Sequence, residues 1–180
     1  MAKKNNKKKK AKRKTIFSPE IEKVTVNIGV GEAGEKLRKA EKVIQKVTKQ
    51  KPVRTLSKIN NKELGVRKGL PIGCKVTLRD KKAENFLKKA LETRNKKIAD
   101  YSFDDQGNVS FGVPDYTLFE DQKYDPEIGI FGLDVCVTMK RPGYRIKKRR
   151  IQKKKIPERH QIKPEDTMKY FSEELDVEVI

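Results

Sequence analysis

Three glycines, Gly29, Gly31 and Gly34, have the Gly-x-Gly-x-x-Gly spacing with which a strand-to-helix turn can hold a dinucleotide pyrophosphate. An alternating apolar run precedes them and a helical pattern follows, which is the context that such a site requires. A dinucleotide-binding unit also needs a second, strongly apolar strand after the helix, ending in an acid for the ribose. The sequence has KQKPVRTLSK at that place. We therefore interpret the glycines as a tight turn and keep a nucleotide-dependent enzyme as an alternative hypothesis.

Other residues that could act in catalysis or metal binding are few and scattered. His160 is the only histidine and lies in a run of Lys and Arg, which disfavours a protonated general acid. The acids of residues 98–139 lack the spacing of a calcium-binding loop. Cys74 and Cys136 lie in separate strand-like runs without a Cys-x-x-Cys pair, so both are predicted to be reduced core residues. The sequence predicts no enzyme, no cofactor and no metal site.

The overall composition indicates a polyanionic partner. The chain has 180 residues, a formal net charge of +20 and a pI of about 9.9, and its 34% of hydrophobic residues suffices for one globular domain with a modest core. No apolar stretch approaches the ~18 residues that span a bilayer, and the N-terminus lacks the apolar segment of a secretory signal. We therefore expect a cytoplasmic protein that binds nucleic acid rather than membrane.

The charges are divided between separate segments of the chain. Residues 1–14 hold nine Lys or Arg and no acid, and residues 140–163 hold twelve against the single Glu158. Residues 36–97 hold 21 basic and five acidic side chains, whereas residues 98–139 hold one basic and nine acidic. The folded molecule is therefore expected to have basic surfaces and one acidic pole.

Two of the basic segments are predicted to lie outside the globular domain, which we place at 15–139. Residues 1–14 have almost no apolar side chain, so we expect a disordered tail that orders only against a polyanion. In 140–163, Tyr and Ile alternate with the charges and prolines interrupt them, which favours an extended basic arm that binds phosphate. The arm and a short C-terminal helix, at 140–180, are expected to pack on the domain. The arm cations singled out are Arg141, Arg145, Lys147, Lys148, Arg149 and Arg150.

Hydrophobic periodicity predicts an α+β fold. Residues 23–30 alternate as in a strand with one buried face, and residues 35–49 have apolar side chains at helical spacing. The turn-rich residues 53–73 are expected to form a long exposed loop or a splayed hairpin. Further strands are predicted at 74–79 and within 101–113 and 124–140, and further helices at 81–94 and 164–175. We expect an antiparallel or mixed sheet packed on one face by two to three helices.

One protein family shares several longer motifs with this sequence. The chain resembles the large-subunit ribosomal protein five family, which binds 5S ribosomal RNA, in VNIGVGEAGEKLRKAEKVIQKVTKQKPVRT, GVRKGLPIGCKVTLR, FLKKALETR and YDPEIGIFGLDV. Its later segment FGLDVCVTMKRPGYRIKKRRIQKKKIPERHQI resembles the archaeal and eukaryotic branch. The resemblance covers roughly residues 20–180. It implies a sheet packed on helices in a structural protein of the large ribosomal subunit.

The resemblance also implies a set of partners. One sheet edge and face would dock on 5S ribosomal RNA in the central protuberance, and 23S-type ribosomal RNA would lie nearby. The loop from Lys58 to Gly73 would point toward P-site transfer RNA. The acidic segment would face neighbouring ribosomal proteins, including a small-subunit protein across the bridge between the subunits. A generic nucleic-acid chaperone, acting through the basic tails alone, is kept as an alternative hypothesis.

Specific contact residues follow from the matching motifs. An amide and a hydroxyl can bond riboses and base edges, while an arginine supplies charge to the RNA backbone. Carried over motif by motif, the residues that would bind ribosomal RNA are Asn27, Gln50, Thr77 and Arg79, and the cations that would face transfer RNA are Lys58, Lys62, Arg67 and Lys68.

Overall fold

The protein is built on a five-stranded antiparallel sheet. The computed structural model describes residues 16–63 and 65–180, so the predicted basic tail at 1–14 lies outside the described residues. The strands in chain order are β1 (Glu20–Gly29), β2 (Val53–Leu56), β3 (Pro71–Leu78), β4 (Lys97–Ile98), β5 (Val109–Val113), β6 (Leu133–Lys140) and β7 (Glu178–Val179). The large sheet has the order β2-β3-β1-β6-β5, and β4 and β7 form a separate parallel pair.

Alternation along the strands gives the large sheet one buried and one exposed face. Val24, Val26 and Ile28 of β1 are at most 2% exposed, and the same alternation runs along β3, β5 and β6. The intervening residues point to the opposite side because successive side chains of a strand alternate. We call that side the open face, and the residues at its centre are Thr25, Asn27, Lys75, Thr77, Ser110, Gly112, Asp134 and Cys136.

Two long helices contribute their apolar faces to the core against the buried side of the sheet. They are α1 (Glu35–Thr48) and α2 (Asp80–Glu92). Leu37 and Ile44 of α1 are at most 2% exposed, and each buried side chain of this size contributes about 1.5–3 kcal/mol. The helix begins at Gly34, whose φ of 119° is in the region that favours glycine. The predicted role of Gly34 in opening this helix is therefore confirmed.

A third helix extends the same core near the C-terminus. It is α4 (Pro164–Leu175), which follows the short α3 (Arg145–Lys148) in the basic arm. Phe171 of α4 is fully buried, and its ring packs edge-on against Phe103 at 5.9 Å between centroids. The predicted α+β architecture is thus confirmed. Among residues 16–63 and 65–180, no helix is both long and apolar enough to cross a membrane.

Two details differ from the expectations drawn from the sequence, and a third was left open between two forms. The prediction that Cys136 is a core residue is wrong: Val135 and Val137 take the buried positions of β6, so Cys136 is exposed on the open face. Of the two forms expected for residues 53–73, a long exposed loop or a splayed hairpin, the structure has the hairpin, with β2 paired to β3. The basic arm, predicted as extended, contains the single helical turn of α3.

Candidate nucleic-acid interface

The open face places small polar side chains from neighbouring strands side by side. Thr25 lies opposite Thr77 on one side and Cys136 on the other, and Cys136 lies opposite Ser110. Thr77, Cys136 and Ser110 are exposed. Strands about 4.8 Å apart make a five-stranded surface roughly 20 Å wide, which is comparable to the width of a nucleic-acid double helix. The adjacent row across the sheet is Lys75, Asn27, Asp134 and Gly112.

Asn27 and Thr77, both predicted contact residues, come together on this face. Asn27 lies opposite Lys75, so Thr77 is its diagonal neighbour on β3. The Asn27 amide donates a long hydrogen bond of 3.5 Å from Nδ2 to Asp134 Oδ2, which leaves its carbonyl oxygen directed to accept. Because the Asp134 carboxylate repels phosphate, this part of the face suits hydroxyl groups and base edges better than an RNA backbone.

Arg79 and Gln50 lie at the margins of the open face. Arg79 precedes α2 in extended backbone, and its side chain is 59% exposed. One guanidinium nitrogen, Nη1, is 4.0 Å from Glu22 Oε1, so Arg79 is held near the end of β1. Gln50 lies in the turn between α1 and the edge strand β2, where its backbone N–H donates to Thr48 Oγ1 over 3.4 Å. Gln50 is therefore placed at the sheet edge, apart from Asn27 and Thr77.

The cations predicted to face transfer RNA stand on an ordered hairpin tip. Asn61 and Val66 pair as a small bridge, and the Asn60 side chain accepts a hydrogen bond of 2.7 Å from the Lys68 backbone N–H. Val66, in this bridge, is only 7% exposed. A surface of separated positive charges is thus presented beyond the end of the sheet. Its four cations, Lys58, Lys62, Arg67 and Lys68, are all exposed.

Arg141 differs from the other predicted cations of the basic arm. Its side chain is 8% exposed, with Nη1 donating to the Gln161 carbonyl oxygen at 2.9 Å and Nη2 to Asp166 at 2.7 Å. Its guanidinium also lies over the Phe17 ring, 5.9 Å from the centroid. Arg141 therefore holds chain segments together, in contrast to the phosphate contact predicted for it. Arg145, Lys147, Lys148 and Arg150 are exposed, and Arg149 is half-buried.

The acidic segment, to which sequence reasoning assigned no individual roles, is fastened to the two long helices. Lys46 of α1 donates to Asp125 at 2.8 Å, and Lys89 of α2 donates to Asp121. Hydrogen bonds from these ammonium groups lower the pKa of both carboxyls. Phe119, two residues before Asp121, is buried against Phe86. Some of the acids therefore secure a loop on the helical side, away from the open face.

The glycine turn is closed by bonds within the protein. The backbone N–H groups of Val30 and Gly31 both donate to the Ile72 carbonyl oxygen, at 3.0 and 2.8 Å. A phosphate-binding turn needs such N–H groups to point at the ligand. In this structure they connect the turn to β3 instead. Within the described ranges, no group of three His, Cys, Asp or Glu could hold a metal ion.

Six further residues of the open face were not predicted from the sequence to contact RNA. They are Thr25, Lys75, Ser110, Gly112, Asp134 and Cys136, which share the rows of Asn27 and Thr77. The period-2 alternation of β1 and β6 indicates which of their residues lie on the open face, because polar residues between buried valines must share one face. The pairing of distant strands decides which of them become neighbours, and that pairing is not visible in the local pattern.

Comparison with known proteins identifies the family of this fold. Residues 17–67 match the sequence model of ribosomal protein L5, and residues 71–170 match the model of the C-terminus of the same ribosomal family. A large ribosomal subunit protein uL5 of Methanococcus aeolicus is 51% identical over 159 residues, which cover 87% of this chain and 88% of the relative. The uL5 of Sulfurisphaera tokodaii is 52% identical over 161 residues, which cover 89% and 91%. With these motifs spread along nearly the whole described chain, the protein belongs to the ribosomal protein L5 family.

Proposed function

We propose that this chain, as a ribosomal protein of the large subunit, binds 5S ribosomal RNA in the central protuberance through its open face. The family consists of structural ribosomal proteins rather than enzymes. The observation that supports the proposal is the row of small, accessible polar side chains beside Asn27 and Thr77. Because these side chains are short, the surface can come close to a broad, shallow groove.

The chemistry of the open face suits double-stranded RNA. An A-form helix exposes 2′-hydroxyl groups and base edges in a wide, shallow minor groove. Thr77 can donate to or accept from a hydroxyl, and the Asn27 carbonyl oxygen can accept from one. Arg79 and Lys75 supply charge for phosphates at the borders of that groove. The face is therefore suited to recognise RNA shape rather than a base sequence.

Other surfaces are assigned to the remaining partners on the same reasoning. The exposed cations of the hairpin tip suit the backbone of P-site transfer RNA, and those of the basic arm suit the phosphates of ribosomal RNA. The acidic segment suits basic ribosomal proteins, among them a small-subunit protein across the intersubunit bridge. Its exposed apolar side chains, suited to a protein interface, are Tyr101, Leu118, Tyr124 and Ile130.

Binding of the full chain to 5S ribosomal RNA, compared with an unrelated RNA of equal length across a salt series, tests the proposal. We expect 5S RNA to bind at least about tenfold more tightly, which corresponds to about 1.4 kcal/mol. Asn27→Ala and Thr77→Ala should each weaken 5S binding about threefold to tenfold, since a hydrogen bond contributes ~0.5–1.5 kcal/mol. Ser172→Ala, at an exposed position of α4, is the control and should bind like wild type.

Two results would contradict this function. Equal affinity for both RNAs, unaffected by Asn27→Ala or Thr77→Ala, would favour the chaperone hypothesis, in which the basic segments act without selectivity. A rise in melting temperature with NAD or ATP would favour the enzyme hypothesis, because a ligand that binds the folded state stabilises it.

A further inference from the structure

A carboxylate lies between the open face and the basic arm. Glu22 is in β1 where the pairing with β6 shifts register, between Ile21 and Lys23, and its side chain is 15% exposed. Its Oε1 is 4.0 Å from Arg79 Nη1 and also accepts a hydrogen bond from Lys148 Nζ. Cations from the end of β3 and from the arm therefore converge on a single carboxylate.

The base of the arm is closed by a second set of bonds. The Tyr144 hydroxyl accepts from the Ile162 backbone N–H at 2.9 Å and donates to the His160 carbonyl oxygen at 3.3 Å. The His160 ring nitrogen Nε2 is 2.8 Å from the Pro142 carbonyl oxygen. Together with Arg141, these contacts join the two ends of the arm. The arm is thus a loop with a fixed base, and a pre-ordered loop loses less entropy when it binds.

The negative charge of Glu22 is by itself unfavourable for RNA binding, so its presence beside the basic arm calls for a structural explanation. A negative charge beside a phosphate-binding surface repels the ligand, and the effect is greater for a partly buried group. Here the carboxylate reduces the repulsion between Arg79 and Lys148 and fixes α3 at the end of the open face. The role of this carboxylate is therefore to position Lys148 and α3.

We propose that Glu22 is a positioning residue that holds the basic arm beside the open face, so that both bind one continuous segment of RNA double helix. This inference rests on the proposed RNA binding by the open face. The face contacts the minor groove, and the arm neutralises phosphates of the same helix beyond it. The exposed cations available for those phosphates are Lys147, Arg150, Lys153, Lys154 and Lys155.

Glu22→Gln provides a test in which a positioning role and a simple charge effect predict opposite changes in RNA affinity. The substitution adds one unit of positive charge, so a purely electrostatic account predicts tighter RNA binding. If Glu22 positions the arm, 5S ribosomal RNA should bind about tenfold more weakly. The slope of log K against log salt should also fall by about one to two, because each lost phosphate contact of a duplex removes roughly 0.9.

The control is Glu92→Gln, which makes the same charge change at an exposed position near the end of α2. It should bind 5S RNA as tightly as wild type or slightly more tightly, with the same salt slope. Circular dichroism melts of both variants verify that the fold is intact. A double variant, Glu22→Gln with Lys148→Gln, should lose little beyond Lys148→Gln alone, because Glu22 acts through Lys148.

The outcomes separate this inference from the proposed function. If wild type prefers 5S RNA but Glu22→Gln binds it equally or more tightly with an unchanged slope, the positioning role is wrong and the function stands. Additive losses in the double variant would also overturn it. If wild type itself shows no preference for 5S RNA, the proposed function fails first and the inference fails with it.

Discussion

The two cysteines show how the alternation of side chains along a strand decides whether a thiol is buried or exposed. Cys74 occupies a buried position of β3, where burial raises the pKa of its thiol to about 11. Cys136 lies on the open face, where partial burial and the Asp134 carboxylate raise its pKa. Both cysteines lie in apolar, strand-like runs. Their environments differ because Val135 and Val137 take the buried positions of β6 and leave Cys136 on the exposed side. Cys136 is consequently a natural probe of the proposed RNA surface.

Labelling with N-ethylmaleimide should distinguish the two thiols. We expect Cys136 to react in the folded protein, faster as pH rises because the thiolate is the reactive form and its pKa is raised. Cys74 should react only after denaturation. Saturating 5S ribosomal RNA should slow Cys136 labelling at least about tenfold, since a bound helix excludes the reagent. Cys136→Ser identifies the labelled site by mass spectrometry, and unprotected labelling in the RNA complex would contradict binding at the centre of the face.

Among the elements, those with strong internal patterns were predictable and those that depend on distant partners were not. The helix α1 is evident from the spacing of Leu37 and Ile44, and β1 from its alternating valines. The edge strand β2 has no such pattern, because its exposed Val53 and Leu56 acquire strand structure only by pairing with β3. The ion pair of Lys46 with Asp125 likewise joins residues 79 positions apart. Long-range pairing is the information that local periodicity lacks.

The attachment of α4 depends on one such long-range bond. Fully buried Thr167 donates from Oγ1 to the Gly107 carbonyl oxygen at 2.8 Å, which joins α4 to the turn before β5. Gly107 has a φ of +71°, and a Cβ there would lie 2.5 Å from Ile162 Cγ2. The turn therefore requires glycine, and its carbonyl oxygen is directed at Thr167.

Thr167→Val should remove this bond while keeping the side-chain shape. We expect the free energy of unfolding to fall by ~1–3 kcal/mol, because the Gly107 carbonyl oxygen is left buried without its partner. Urea denaturation followed by circular dichroism measures the change. Thr138→Val, at a half-buried position of β6, serves as the matched control and should change stability by less than about 0.5 kcal/mol. Equal stability of Thr167→Val and wild type would show that the bond does not hold α4.

At the scale of the whole molecule, the fold keeps the acidic loop away from the open face. The open face has the hairpin tip and the basic arm at its borders, whereas the acidic residues fastened to α1 and α2 lie on the helical side. A net charge of +20 attracts any RNA, so charge alone cannot orient the protein on it. The acidic loop on the opposite side offsets the exposed lysines of α1 and α2 and so disfavours inverted complexes, because like charges brought together cost free energy.

The acidic segment should therefore contribute more to the selectivity of RNA binding than to its affinity. Neutralising four exposed acids of this segment as amides should tighten binding of the unrelated RNA several-fold while changing 5S binding little, because only misoriented complexes place phosphate against them. The ratio of the two dissociation constants, measured near physiological ionic strength where the Debye length is about 8 Å, should fall accordingly. An equal gain for both RNAs would mean that the acids act only through net charge, and the orientation argument would be wrong. The four acids are Asp100, Asp105, Glu120 and Glu127.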